Sequence, residues 1–181
     1  LEQAGLVIRK EEGNDYYDRF RGRLMFPIND VQGRPIGFSG RIIEGDASKG
    51  AKYVNSPETL LFKKGQVIYG LDKAKRAILD AKSAVICEGQ LDLIACHTAG
   101  IENVVAPQGT ALTLQQARRV KRYADEIVLC FDSDKAGTDA ALRSMDDLIN
   151  SGLNLRVANV PAPHDPDSFI AEQGSDAFRD L

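Results

Sequence analysis

"VLCFDSDKAGTDAAL", residues Val128–Leu142, decides the fold. Four apolar residues, Val128, Leu129, Cys130 and Phe131, run into Asp132-Ser133-Asp134, and the sequence then turns helical at once. A short apolar run bounded by turn residues is the pattern of a strand buried on both faces of a parallel sheet. In extended chain the carboxylates of Asp132 and Asp134, two residues apart, point the same way. Side by side at the mouth of a buried strand they repel each other and lose hydration. A hard divalent cation with oxygen ligands relieves both penalties, so the pair is a candidate metal site. The bland alternative is that each Asp caps the helix or turn that follows.

Working outward, strand and helix signals alternate from Ser83 onward. "SAVICEG" (83–89) predicts a buried strand, and "QLDLIACHTAG" (90–100) a helix with Leu91, Ile94, Ala95 and Thr98 on one face, stopped by Gly100. "NVVAP" is a short strand, "TLQQARRVKRYA" (113–124) a helix capped by Thr113, and "EIVLCF" (126–131) the strand already described. A helix from about Ala136 places Ala141, Met145, Leu148 and Ile149 together, and "LRVANVP" (155–161) and "DPDSFIAEQG" read as a further strand and helix. Strand-helix units in series imply a parallel α/β sheet with right-handed crossovers. Upstream, "RLMFPIND" (23–30) and "PIGFSGRII" (35–43) are strands of a hairpin with Gly33 in its turn, and Ser56 before Pro57 starts a short helix. Residues 1–82 carry 15 Lys and Arg against 11 Asp and Glu, whereas residues 83–181 carry 8 against 15. The expected organisation is a smaller basic α+β subdomain at 1–82 followed by a parallel-sheet domain at 83–181, with the basic half facing phosphates.

Open parallel sheets bind ligands at the carboxyl ends of their strands. Glu88, the Asp132/Asp134 pair and Asp165/Asp167 all fall at such ends. Asp92, in the first turn after Gly89, is equally readable as a helix-dipole carboxylate. Of the two histidines, His97 is expected to be structural and His164 to lie close to the acidic pair. Cys87, Cys96 and Cys130 lack the paired spacing of a zinc site and read as reduced core cysteines of a cytosolic protein. There is no signal-peptide pattern, no span apolar enough for a membrane, no phosphate-binding glycine fingerprint and no Ser-His-Asp or Cys-His arrangement. Without a start Met, the chain is expected to be a piece of a longer protein.

"CEGQLD", "FDSDKAG" and "HDPDSF", in this order, resemble the Toprim domain of bacterial DnaG-type primases. "YDRFRGRLMFPI", "GRPIGFSGRII", "KYVNSPET" and "FKKGQVIYGL" resemble the basic subdomain that precedes Toprim in that family, so nearly the whole chain is covered. The resemblance implies the catalytic core of a primase, making RNA primers on single-stranded DNA template from ribonucleoside triphosphates. It implies Glu88, Asp132 and Asp134 as catalytic and metal-binding acids, with Asp92, Asp165 and Asp167 as further metal-site acids. It implies Arg19, Arg21, Arg23, Arg41, Lys52, Asn55 and Lys64 as nucleotide- and template-binding residues. Mg²⁺ or Mn²⁺ is the expected cofactor, with no zinc held by these residues. A replicative helicase is the expected partner through regions outside this chain, in the cytoplasm at the nucleoid, with no membrane partner. Two positions depart from the family: Gln90 stands where Tyr is common after Glu-Gly, and Ser133 where Gly is common within Asp-x-Asp. The alternatives are another Toprim enzyme, a nuclease or topoisomerase fragment, and a non-catalytic nucleic-acid-binding module. A topoisomerase needs a nucleophilic Tyr, and none of the five here has a distinguishing context, while the intact acids weigh against a non-catalytic module.

Overall fold

A computed structural model describes residues 1–43, 50–108, 112–131, 152 and 154–181. They form two compact units, Leu1–Lys63 and Lys64–Leu181.

The second unit is built around β9 (Glu126–Phe131), which pairs in parallel with β7 (Ser83–Ile86) on one side and β10 (Asn154–Asn159) on the other. Leu129 and Cys130, adjacent and so on opposite faces, are both fully buried, as a two-sided sheet requires. β8 (Val104–Pro107) extends the parallel set beyond β7, and β6 (Ile68–Tyr69) closes the edge antiparallel, giving the order β10-β9-β7-β8-β6 among the described residues. α1 (Leu71–Ala81) packs on β7 and β8 through Leu71, Ala74 and Ile78, one stripe at helical spacing.

α2 (Gln90–Thr98) forms where expected, but it presents a different face to the core. Gln90, Leu93 and Cys96 are buried, while Ile94 and Thr98 are exposed and Leu91 and Ala95 half-buried. The expected stripe instead lines a shallow groove of about 410 Å³ with Ile170 and Ala171 of α4 (Pro166–Arg179). α2 is apolar nearly all round, so periodicity alone could not choose between its faces. α3 (Leu114–Val120) has Thr113 as its cap and buries Ala117 and Val120. The helix expected from Ala136 lies outside the described residues.

The first unit contains a β1–β2 pair (Val7–Arg9, Tyr16–Asp18) and an antiparallel sheet of β3 (Arg23–Asn29), β4 (Pro35–Ile42) and β5 (Tyr53–Asn55). The β3–β4 turn is the expected hairpin: Asp30 Oδ1 accepts the backbone N–H groups of Gln32 and Arg34, and Gly33 adopts φ 85°. The short helix expected from Ser56 does not form. Ser56 is 1% exposed, and its Oγ accepts the Phe38 N–H at 2.9 Å while its own N–H donates to Phe38 O, so it prolongs the β5 edge rather than capping a helix. Thr59 then accepts from Leu61 and Phe62, turning the chain back.

Candidate active site

β7 ends at Ile86, and Cys87-Glu88-Gly89 carries the chain over the carboxyl edge of the sheet into α2. Cys87 is fully buried and Glu88 exposed, so the strand direction turns the one carboxylate outward while its neighbour anchors the turn. Asp92 ties the turn down, its Oδ2 accepting the Gly89 N–H at 3.0 Å. A Cβ on Gly89 would lie 2.9 Å from that Oδ2, so a side chain there would push the Asp92 carboxylate aside even though a φ of −125° suits any residue.

β9 runs parallel beside β7 and is followed in sequence by Asp132-Ser133-Asp134, which lie outside the described residues. After β10 in sequence, Asp165 caps α4: its Oδ1 accepts both the Ser168 hydroxyl at 2.6 Å and the Ser168 N–H at 2.8 Å. The Ser168 hydroxyl, and then the Ser168 N–H, hold the Asp165 carboxyl below its ordinary range. Asp167 lines the groove between α2 and α4, which brings this acidic segment against the helix that follows Glu88. The donors at this edge are carboxylate oxygens, chemistry that suits a hard divalent ion. Among the described residues no three of His, Cys, Asp and Glu are gathered to hold one.

His97 is structural, its Nε2 hydrogen-bonding Val104 O at 2.9 Å. His164 packs edge-on against Phe169, ring centres 5.9 Å apart, with Nε2 3.9 Å from Glu172 Oε2. Cys87, Cys96 and Cys130, scattered in sequence, meet in one buried core cluster as free thiols. Hydrogen bonds with Cys130 and Cys96, and then burial, push the Cys87 thiol upward, which makes it inert.

In the first unit, register places Ser39 opposite Asn55 and Arg41 opposite Tyr53, so Ser39, Arg41 and Asn55 share a sheet face. Arg41 Nε, Asn55 Oδ1 and Ser39 Oγ are buried with no hydrogen-bond partner among the described residues, as is Arg19 Nε. Buried polar atoms are nearly always satisfied, so this row calls for a ligand or water. Ser39 escaped the sequence because nothing but strand alternation marks it. Arg23 is engaged locally, its Nη1 donating to Gly40 O at 3.1 Å and Lys52 O at 3.4 Å. Arg21 lies over the Tyr17 ring at 4.6 Å. The Lys52 side chain is exposed and Lys64 is half-buried.

A family model described as "DNA primase catalytic core, N-terminal domain" matches residues 1–75, and a "Toprim-like" model matches residues 85–170. Sheet, acidic edge and matches together define a Toprim-containing primase catalytic core. A DNA primase of Synechococcus elongatus is 47% identical over 187 residues, covering 100% of this chain and 26% of the relative. The primase of Aquifex aeolicus, solved with its zinc-binding and RNA polymerase domains, superposes with a TM-score of 0.92 at 37% identity, covering 99% of this chain and 44% of that one. A DnaG primase catalytic domain bound to ssDNA superposes at 0.90 and 36% identity, covering 99% of this chain and 56% of that one. The chain belongs to the bacterial DnaG-type primases, and it spans about a quarter of the length of the curated relative.

Proposed function

We propose that this chain is the part of a DNA primase that joins ribonucleotides into primers on a single-stranded template. The observation that carries the proposal is Glu88, exposed at the carboxyl edge of a parallel sheet beside the strand that feeds Asp132-Ser133-Asp134. Glu88, Asp132 and Asp134 would hold Mg²⁺ or Mn²⁺, with Asp92, Asp165 and Asp167 completing an acidic edge. When bound, the ion neutralises charge on the reacting phosphate and orients the attacking 3′-hydroxyl. Glu88 serves as ligand or as acceptor of the hydroxyl proton. Arg19, Arg41 and Asn55, whose buried atoms have no partner among the described residues, are assigned to nucleotide and template, together with Arg21, Arg23, Lys52 and Lys64. Contacts of this kind go to phosphate and sugar and tolerate any sequence.

The functional division is placed at 1–82 and 83–181, close to the limits of the two family matches. The compact units divide earlier, because β6 and α1 pack on the parallel sheet. Among the described residues no helix is long and apolar enough to cross a membrane. We place the protein in the cytoplasm with a replicative helicase as partner, through regions outside this chain. The test is primer synthesis from rNTPs on single-stranded DNA by the full-length protein, with and without magnesium. Glu88→Gln and Asp132→Asn should each abolish it at unchanged melting temperature. Full synthesis by either variant would remove that residue from the site.

A further inference from the structure

Gln90 and Gln108 are uncharged amides sealed into the core, 7% and 1% exposed. Gln90 is the first residue of α2, and Gln108 follows Pro107, the last residue of β8. Gln90 Nε2 donates to Gln108 Oε1 at 3.0 Å. The other half of each amide, Gln90 Oε1 and Gln108 Nε2, is buried with no partner among the described residues. That leftover acceptor and donor are complementary in type. Burying two amides is less favourable than burying two leucines of similar volume, so packing alone does not explain them.

Their place does. The ladder between β7 and β8 reaches Cys87, whose N–H donates to Val105 O at 3.0 Å, and Glu88 is the next residue. Beyond that bond, Gln90 to Gln108 ties the start of α2 to the end of β8. The Glu88-Gly89 turn is therefore gripped twice, by Asp92 on the Gly89 N–H and by the amide pair across the strand ends. Gln90 thus follows Glu88-Gly89 as an amide whose partner stands at the end of the neighbouring strand. We propose that the Gln90–Gln108 pair is a positioning device that sets where the Glu88 carboxylate stands at the sheet edge. The proposal rests on Glu88 being the reactive acid of the preceding section.

The test compares Gln90→Leu, Gln108→Leu and the double variant in full-length protein, with Glu88→Gln as control. Melting temperature, kcat, KM for nucleotide and the magnesium midpoint of primer synthesis are measured. Each single variant strands one buried amide and should melt lower, while the double variant regains most of the loss. Its kcat should stay down by about 10- to 100-fold, the scale of a small misplacement of a reacting group. KM should hold near wild type, and the magnesium midpoint should rise. A double variant that recovers wild-type kcat together with its stability overturns the proposal, and so do single losses in stability that merely add. Should the double variant not fold, Gln90→Asn, which withdraws the amide by one methylene, replaces it: reduced kcat supports the pair and wild-type kcat overturns it. A fully active Glu88→Gln would instead remove the reading of Glu88 itself. An inactive Glu88→Gln beside a double variant of normal kcat removes only the amide pair.

Discussion

At Asp165 one carboxylate oxygen takes two hydrogen bonds from Ser168, and the charged form is the one they favour. Asp165→Ala should therefore destabilise the second unit by about 1 kcal/mol, the usual cost of a lost N-cap. The sign of its pH dependence follows from the lowered pKa. The cap's contribution is fully present above the unfolded carboxyl value and is lost as pH falls through the lower folded one. The gap between denaturant melts of wild type and Asp165→Ala should thus begin to narrow near pH 4, where the unfolded carboxyl takes its proton, and close only below the lower folded value. A gap that persists in acid would contradict the ionised cap. This cap was legible in "HDPDSF", since an acid, a proline and a hydroxyl three residues on form a local signature. The amide pair was not. Gln90 and Gln108 are 18 residues apart, and no local rule tells a buried glutamine from a solvated one.

Among the elements, α3, expected over 113–124 and formed over Leu114–Val120, shows how a helix can be foreseen and its most consequential residue overlooked. The stripe of Ala117, Val120 and Ala124 is buried as its spacing requires, at 0%, 0% and 4% exposure. Gln116 is also fully buried, and it works on backbone rather than on a ligand. Its Oε1 accepts the Thr113 N–H at 2.9 Å, and its Nε2 donates to Lys64 O and Val67 O, each at 2.9 Å. One side chain thus closes the helix N-terminus and holds the segment leading into β6. Gln116→Leu leaves those backbone groups unpaired in the core and should cost about 3 kcal/mol or more. A loss below 1 kcal/mol by chemical denaturation, about the value of a single net hydrogen bond, would show that water replaces the amide. The misread elements share a cause with this omission. Ser56 looked like a helix cap until the Phe38 backbone claimed it, and α2 hid its inward face because apolar residues surround it. Both outcomes were set by partners distant in sequence.

Across the whole molecule, charge marks the proposed template surface less distinctly than burial does. Residues 1–63 hold 10 Lys and Arg against 9 Asp and Glu, nearly neutral, whereas residues 64–82 hold 5 against 2. The basic excess of the first half thus lies largely on α1 and its flanks, at Lys64, Lys73, Lys75, Arg76 and Lys82, which belong to the parallel-sheet unit. What marks the antiparallel sheet is a row of buried atoms on Ser39, Arg41 and Asn55 that share one face and have no partner among the described residues. The four cations of residues 118–122 test the distinction from the other side. Arg118 and Arg122 are exposed on the face opposite the buried stripe, and Arg119 reaches Gln66 Oε1 at 3.2 Å. An outer helix of an α/β sheet is normally charged there, so solvation accounts for them. Arg41→Ala, Lys52→Ala and Lys64→Ala should each weaken single-stranded DNA or nucleotide binding by about 1–3 kcal/mol, the scale of a charge-assisted hydrogen bond. For template contacts the loss should be equal across sequences, and the salt dependence of binding should become shallower. Arg118→Glu with Arg122→Glu reverses two charges and should still leave affinity at low salt and its salt slope unchanged. If that double reversal flattens the slope while Arg41→Ala does not, the template lies on the helix face and not on the sheet.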